Sequence, residues 1–242
     1  MSTLLEVSGL SKRFGGLQAV KDLSFTVGAG EIVALIGPNG AGKTTAFALI
    51  SGFLTPDAGT IHFAGRDVVG MKPHQANALG LARTFQIMRP FPRLSVVRNV
   101  MIATLGRHAD TSEAERRARA VLEELGLGPK ADLPAGGLTL AERKRLELAR
   151  ALGTEPTLLL LDEVMSGLTE AETERIVELV RAINGRGVAI LLIEHVMRAV
   201  MSLAQRIVVL NYGERIAEGR PEAVATDPRV IEAYLGDEEI RA

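Results

Sequence analysis

The sequence predicts an α/β fold built on a mainly parallel sheet, and three observations carry that prediction. Short runs of branched apolar residues recur at Glu31–Ile36, Thr157–Leu161, Val188–Ile193 and Arg206–Leu210, the pattern of strands buried on both faces. Segments with apolar residues at helical spacing separate them, Thr169–Ile183 being the clearest, and such alternation is how α/β domains are written. The third observation is a glycine-rich stretch, Gly37-Pro38-Asn39-Gly40-Ala41-Gly42-Lys43-Thr44-Thr45, set directly behind the first of those runs and ahead of a helical Ala46–Ile50.

Taken in order, Leu4–Val7 and Leu23–Val27 read as strands, and Gly28-Ala29-Gly30 punctuates the entry to the strand before the glycine-rich stretch. Between about Pro90 and Leu152 the texture turns mostly helical, which predicts an inserted helical subdomain within a single domain spanning 1–242. Within it, Ser112-x-x-Glu115 reads as a capping box opening a helix that runs to Leu125 and stops at Gly126. Thr139-x-x-Glu142 opens another that ends near Leu152. In Thr169–Ile183 the apolar positions Ile176, Val177, Leu179, Val180 and Ile183 share one face and the charges take the other, as in a helix covering a sheet. Asp237–Ala242 is expected to fray as a charged tail.

Composition narrows the possible functions. Twenty-eight Lys and Arg against 29 Asp and Glu give a net charge of −1, so no overall basic field exists for a nucleic-acid backbone. With no cysteine, disulfides and thiolate metal sites are excluded. Val188–Ile193 is the longest unbroken aliphatic run, against about 20 apolar residues for a membrane span. The sequence therefore predicts a soluble chain that reaches a membrane only through a partner or a surface patch.

The glycine-rich stretch fits G-x-x-x-x-G-K-[ST] with the strand before and helix after that the pattern requires. Glycines at 37, 40 and 42 let backbone N–H groups approach phosphate oxygens, and the following helix N-terminus adds a favourable dipole. Lys43 then bridges β- and γ-phosphates, and the Thr44 hydroxyl coordinates Mg²⁺. Downstream, Leu158-Leu159-Leu160-Leu161-Asp162-Glu163 delivers two carboxylates at a strand end. An acidic residue there holds Mg²⁺ in nucleotide hydrolases, which suits Asp162, while Glu163 is placed to deprotonate an attacking water. Ile190-Leu191-Leu192-Ile193-Glu194-His195 repeats the geometry and would bring His195 to the same sheet edge, where ligands of parallel sheets sit.

Phe14, the loop at 37–45, Gln86, Asp162-Glu163 and His195 match in order and approximate spacing the nucleotide-binding subunits of ATP-binding cassette transporters, and the chain resembles that family over nearly its whole length. The resemblance implies a P-loop NTPase core with a mainly parallel sheet, an N-terminal antiparallel β subdomain and the inserted α-helical subdomain at about 90–152. It implies that Phe14 stacks on adenine with Val20 also in the nucleotide site, that Gln86 links Mg²⁺ and water to the membrane subunit, and that His195 senses the γ-phosphate. Arg83-Thr84-Phe85-Gln86, Arg89-Pro90-Phe91 to Asn99-Val100, Ile193-Glu194-His195 and Asp227–Gly236 look like the branched-chain amino-acid importer branch, whose relatives serve branched-chain amino acids, urea or short amides. ATP and Mg²⁺ are the implied cofactors. The implied partners are integral membrane permease subunits, a second ATPase subunit that is a paralogue or a copy, and indirectly a periplasmic or lipoprotein solute-binding protein; nucleic acid is not among them. The implied location is peripheral, on the cytoplasmic face of the inner membrane.

Three places depart from the family. Its signature, usually Leu-Ser-Gly-Gly-Gln and used to contact the γ-phosphate held by the partner, stands here as Leu138-Thr139-Leu140-Ala141-Glu142. Thr139 keeps the hydroxyl, Ala141 narrows the backbone's options, and Glu142 brings a negative charge near an anion. Val164 replaces the usual proline after Glu163, and Thr169 stands where aspartate is common. Lys43, Thr44, Asp162, Glu163 and His195 are intact, so this chain's own site is expected to hydrolyse ATP while the site it completes for its partner runs slower. A non-transport cassette acting on nucleic acid and a regulatory subunit with little catalysis are the competing readings.

Overall fold

The computed structural model describes residues 2–85 and 90–239. β1 (Thr3–Phe14) and β2 (Leu17–Gly28) form an antiparallel hairpin closed at Gly15-Gly16. Both strands run further than the predicted Leu4–Val7 and Leu23–Val27. The register shifts between Val7 and Leu10 and again around Lys12, so pairing continues where the period-two alternation has broken. β3 (Ile32–Ile36), buried at every position, feeds the glycine-rich loop and then α1 (Lys43–Ile50). β4 (Ala58–Phe63) and β5 (Arg66–Asp67) complete a four-stranded antiparallel sheet of order β2-β1-β4-β5.

α2 (Pro73–Ala78) leads to β6 (Leu81–Arg83). The helices α3 (Val96–Thr104), α4 (Thr111–Glu124) and α5 (Leu140–Leu152) then intervene before the next strand and occupy the stretch expected to be a helical insertion. The start of α4 corrects the expected Ser112 cap. Asp110 is the N-cap, its carboxylate accepting from the N–H groups of Ser112 and Glu113; a carboxylate also complements the positive helix end, which a serine hydroxyl does not. β7 (Leu158–Asp162), α6 (Glu170–Gly185), β8 (Ala189–Ile193), α7 (Met197–Leu203), β9 (Arg206–Asn211), β10 (Glu214–Gly219), α8 (Pro221–Ala225) and α9 (Pro228–Glu239) follow. The backbone of α9 runs through Glu239, so the tail expected to fray from Asp237 is helical at its start.

The second sheet has six strands in the order β10-β9-β3-β8-β7-β6, parallel except for β10. Its strands alternate between two cores. Ile32, Ala34, Ile36, Leu159, Leu161, Ile190 and Leu192 face the helical side with α3–α6, whereas Val33, Leu35, Leu158, Leu160, Leu191 and Ile193 pack with α1 and the antiparallel sheet. Both faces being covered is why these strands read as unbroken apolar runs. The consequence for the site is a single edge at which β3, β8 and β7, adjacent and parallel, all end.

Candidate functional site

At that edge β3 releases the glycine-rich loop, β8 releases Glu194-His195 and β7 ends on Asp162, with Asp162 in register with Ile193. Strands stand about 4.8 Å apart, so the loop and the β7 carboxylates lie about 10 Å from one another across β8, the breadth of a polyphosphate with its cation.

Close approach dictates the glycines of the loop. A methyl group on Gly37 would stand 2.0 Å from the Leu210 carbonyl oxygen, and one on Gly42 2.3 Å from that of Ala19, with φ of 149° and 101°. Gly42 is the N-cap of α1; among the described residues no side chain caps the helix, and no acidic residue occupies its first turn, which leaves its N–H groups and dipole to an anion. The Lys43 ammonium donates to the carbonyls of Gly37 and Pro38 at 2.6 and 2.8 Å and thus arches over the loop. Pro38 and Ala41 are buried, Asn39 and Gly40 exposed, Thr44 exposed and Thr45 half-buried.

The two carboxylates are held differently. Asp162 is buried and paired with Arg83 at 2.8 Å, and its N–H donates to the Thr84 hydroxyl at 3.1 Å. Its other oxygen, Oδ1, is buried without a hydrogen-bond partner among the described residues. Glu163 adopts φ of 49°, a strained conformation for a non-glycine residue that functional sites tolerate. Three bonds hold its backbone: its N–H donates to the Ile193 carbonyl at 2.9 Å, and its carbonyl accepts from the Lys144 ammonium at 2.8 Å and from the Ser166 N–H at 3.3 Å. A carboxylate with a spare oxygen and the Thr44 hydroxyl are hard oxygen donors, a set that fits Mg²⁺ completed by phosphates and water. Gln86 lies outside the described residues.

Next to exposed His195, Glu194 is buried; one carboxylate oxygen accepts the Met165 N–H at 2.8 Å and the other has no partner among the described residues. Burial pushes its carboxyl up to about 7, and burial likewise lowers Lys144 beside it. Phe14 is exposed at the hairpin tip, with the Lys12 ammonium 5.8 Å from its ring centre. The Val20 side chain is wholly buried in the core under the antiparallel sheet, and the neighbouring Ala19 brings its backbone carbonyl against Gly42.

The altered signature opens α5. Thr139 is the N-cap, its hydroxyl accepting from Glu142 N–H at 3.3 Å while the Glu142 carboxylate accepts from Thr139 N–H at 3.0 Å. Lys130 pairs with the same carboxylate at 2.5 Å and, as the chief cause, holds it below the usual range. The charge at Glu142 is therefore compensated within the chain. Ala141 is half-buried and Leu140 exposed. Thr169 caps α6 in the same manner with Glu172.

The profile of the ABC transporter family matches residues 20–166, from β2 to just past Glu163. The chain belongs to that family. A second profile, of branched-chain amino acid ATP-binding cassette transporters, matches 214–240, the region from β10 through α9. The cassette is 41% identical over 250 residues to the high-affinity branched-chain amino acid transport ATP-binding protein LivG of Salmonella typhimurium, covering 97% of this chain and 98% of that one. It is 40% identical over 251 residues to BraF of Pseudomonas aeruginosa, which carries the same description, at the same coverage. Among solved structures, the ADP conformation of MJ1267, an ATP-binding cassette of an ABC transporter, superposes with a TM-score of 0.89 at 30% identity, covering 98% of this chain and 100% of that one.

Three neighbours of the site escaped the reading of the sequence alone: Arg83 against Asp162, Lys144 against the Glu163 peptide, and buried Glu194. A cation closing the apolar strand Leu81-Ala82-Arg83 was the available signal for the first. Lys144 lies among charged residues, Glu142-Arg143-Lys144-Arg145, and nothing local distinguishes it from a solvated neighbour.

Proposed function

We propose that the cassette binds ATP with Mg²⁺ between its own phosphate loop and the α5 N-terminus of a second cassette, and hydrolyses it to drive a separate membrane permease. The observation that carries this reading is the convergence of an uncapped α1, the Asp162-Glu163 pair and His195 at the ends of three adjacent parallel strands. Loop N–H groups and Lys43, released from the Gly37 and Pro38 carbonyls, take the β- and γ-phosphates; Phe14 stacks on adenine. Thr44 and Asp162 would hold the cation, with Gln86 joining them, and Mg²⁺ held there would supply neutralisation of phosphate charge. Glu163 accepts the proton of the water whose oxygen bonds to the γ-phosphorus as the bond to the ADP oxygen breaks. His195 donates to the γ-phosphate, and the Thr139 hydroxyl with the α5 N-terminus reaches the γ-phosphate bound by the partner cassette.

Likeness to LivG and BraF supports branched-chain amino acids as the solute, with urea and short amides as the related alternatives. Among the described residues no helix is long and apolar enough to cross a membrane, which suits a subunit bound at the cytoplasmic face to a permease. Phe53, Phe85, Phe91, Ile102 and Leu105 are each more than 40% exposed, an apolar group suited to a permease segment. The second cassette is proposed to be a paralogue, and a solute-binding protein acts on the far side of the membrane.

Glu163→Gln tests the mechanism. It is expected to leave ATP affinity within a factor of about two, stabilise the ATP-bound dimer and lower kcat by at least 100-fold, in line with removal of a general base. Unchanged hydrolysis removes Glu163 from the mechanism. In the assembled transporter, stimulation of hydrolysis by leucine, isoleucine or valine, but not by urea or acetamide, settles the solute class.

A further inference from the structure

Arg83 is a charged residue largely shut off from solvent. Its side chain is only 9% exposed and its partner Asp162 2%, and the guanidinium donates to the Asp162 carboxylate at 2.8 Å and to the Ser51 hydroxyl at 3.2 Å. Three phenyl rings surround it: Phe47, Phe53 and Phe85, with centroids 5.7, 5.7 and 5.6 Å from its central carbon. Phe47 lies on α1 and Ser51 is the C-cap of that helix. One planar cation therefore joins the helix that begins with Lys43 and Thr44 to the carboxylate at the end of β7. Thr84, the next residue, accepts the Asp162 N–H, so the end of β6 grips Asp162 through both its backbone and its carboxylate.

A buried ion pair of this kind is a poor device for stability, because desolvating two charges offsets their attraction. Its value lies in direction. Arg presents a fixed fork, and aromatic faces hold its plane. With Oδ2 engaged by Arg83, the orientation of the carboxylate is set and Oδ1 is left as its unpartnered oxygen. We infer that Arg83 is a positioning residue for the metal site: by fixing the Asp162 carboxylate relative to α1, it sets the oxygen with which Asp162 meets the Mg²⁺ of bound nucleotide. The inference rests on the assignment of Asp162 as the metal carboxylate.

The test separates metal-dependent from metal-independent binding. ATP affinity is measured calorimetrically on the purified full chain with Mg²⁺ and with EDTA, and the ratio of the two dissociation constants is the gain due to metal. In Arg83→Met the gain is expected to fall at least tenfold while affinity in EDTA stays within about twofold; Arg83→Lys, with the charge but not the fork, recovers part of it. Thermal melts establish that each variant is folded. Arg83→Met combined with Asp162→Asn removes both buried charges and so guards against a misfolded single variant. In the Asp162→Asn background the further change at Arg83 should leave the gain unaltered. A gain preserved in Arg83→Met, or one lowered equally with and without Asp162, overturns the role of Arg83. If Asp162→Asn alone leaves the gain intact, the assignment of Asp162 fails instead, and the two failures are told apart.

Discussion

Two helices of this cassette begin where a phosphate is proposed to sit, and they are prepared for it in opposite ways. α1 starts from Gly42 with no side-chain cap and no acidic residue in its first turn. α5 starts from Thr139 with a reciprocal capping box, Glu142 in its first turn and Lys130 on that carboxylate. An uncapped N-terminus leaves several N–H donors unfilled, whereas a capping box fills two of them from within the helix. The first helix is completed by its ligand. The second is complete as folded, and a phosphate arriving there meets donors already engaged. The contrast teaches that keeping a helix terminus and keeping its affinity for an anion are separate matters: one N-terminus of this chain stands open and the other is closed from inside.

The largest expected effect comes from the open helix. Lys43→Ala removes the ammonium that arches over the loop and should weaken ATP binding by at least about 100-fold, equivalent to about 2.7 kcal/mol and within the range for a charge-assisted contact, as read by calorimetry with Mg²⁺. Equal affinity in the variant would mean that α1 and the loop backbone suffice.

Next is the joint between the halves, where α5 sends Lys144 to the Glu163 carbonyl and Glu194 lies buried nearby. Burial is the main cause of the raised carboxyl, at about 7 against the ordinary 4.5, with Lys144 opposing and Glu163 reinforcing it. The sign follows directly. Below about pH 4.5 the group is protonated folded or unfolded. As pH rises to 7 the unfolded chain ionises first, so stability is lost over that window, and above it the penalty is constant. Glu194→Gln abolishes this titration. Relative to the unaltered protein it should gain roughly 2–3 kcal/mol between pH 5 and pH 8 in urea denaturation, at about 1.4 kcal/mol per pH unit. A difference that does not change with pH would place the proton elsewhere.

These cases also show what could be read from residues alone. The phosphate loop is a local object: strand, tight glycines, Lys43 and helix are consecutive, and each residue's chemistry names its role. The Thr139 capping box is local too, spanning the four residues from Thr139 to Glu142. Which face of β1 and β2 turns inward is harder to read, because the register shifts between the two strands break the alternation that would tell. Arg83 and Asp162 meet across 79 residues, Lys144 and Glu163 across 19, through strand order and a helix face that the pattern of apolar residues does not specify. β10 and α8, of six and five residues, carry too few positions for periodicity to accumulate.

Thr139→Ala sharpens the contrast from the closed side. Losing the hydroxyl that accepts Glu142 N–H should lower stability by about 1 kcal/mol, as N-cap deletions do, and should slow hydrolysis at the partner's nucleotide more than at this chain's own. Equal slowing of both sites in a heterodimer with one site disabled at a time would show that Thr139 acts on the fold alone.

The smallest effect discriminates most sharply between a helix end that is merely capped and one that still meets phosphate. Glu142→Gln keeps an oxygen for Thr139 N–H, so the capping box survives. The pair with Lys130 is lost, but that pair is partly exposed, with side chains 40% and 13% accessible, and its removal should change stability by only a few tenths of a kcal/mol. What does change is charge: a carboxylate beside an incoming γ-phosphate opposes it, and removing one such repulsion, screened as in water, amounts to about 1 kcal/mol. The ATP concentration for half-maximal dimer formation should therefore fall about fivefold, most visibly at low salt, where the repulsion is least screened. If closure instead weakens, the Glu142–Lys130 pair is part of what the partner's nucleotide recognises, with Lys130 presented to the phosphate by Glu142. The closed helix would then be a rebuilt anion site whose donor is a side chain in place of the backbone.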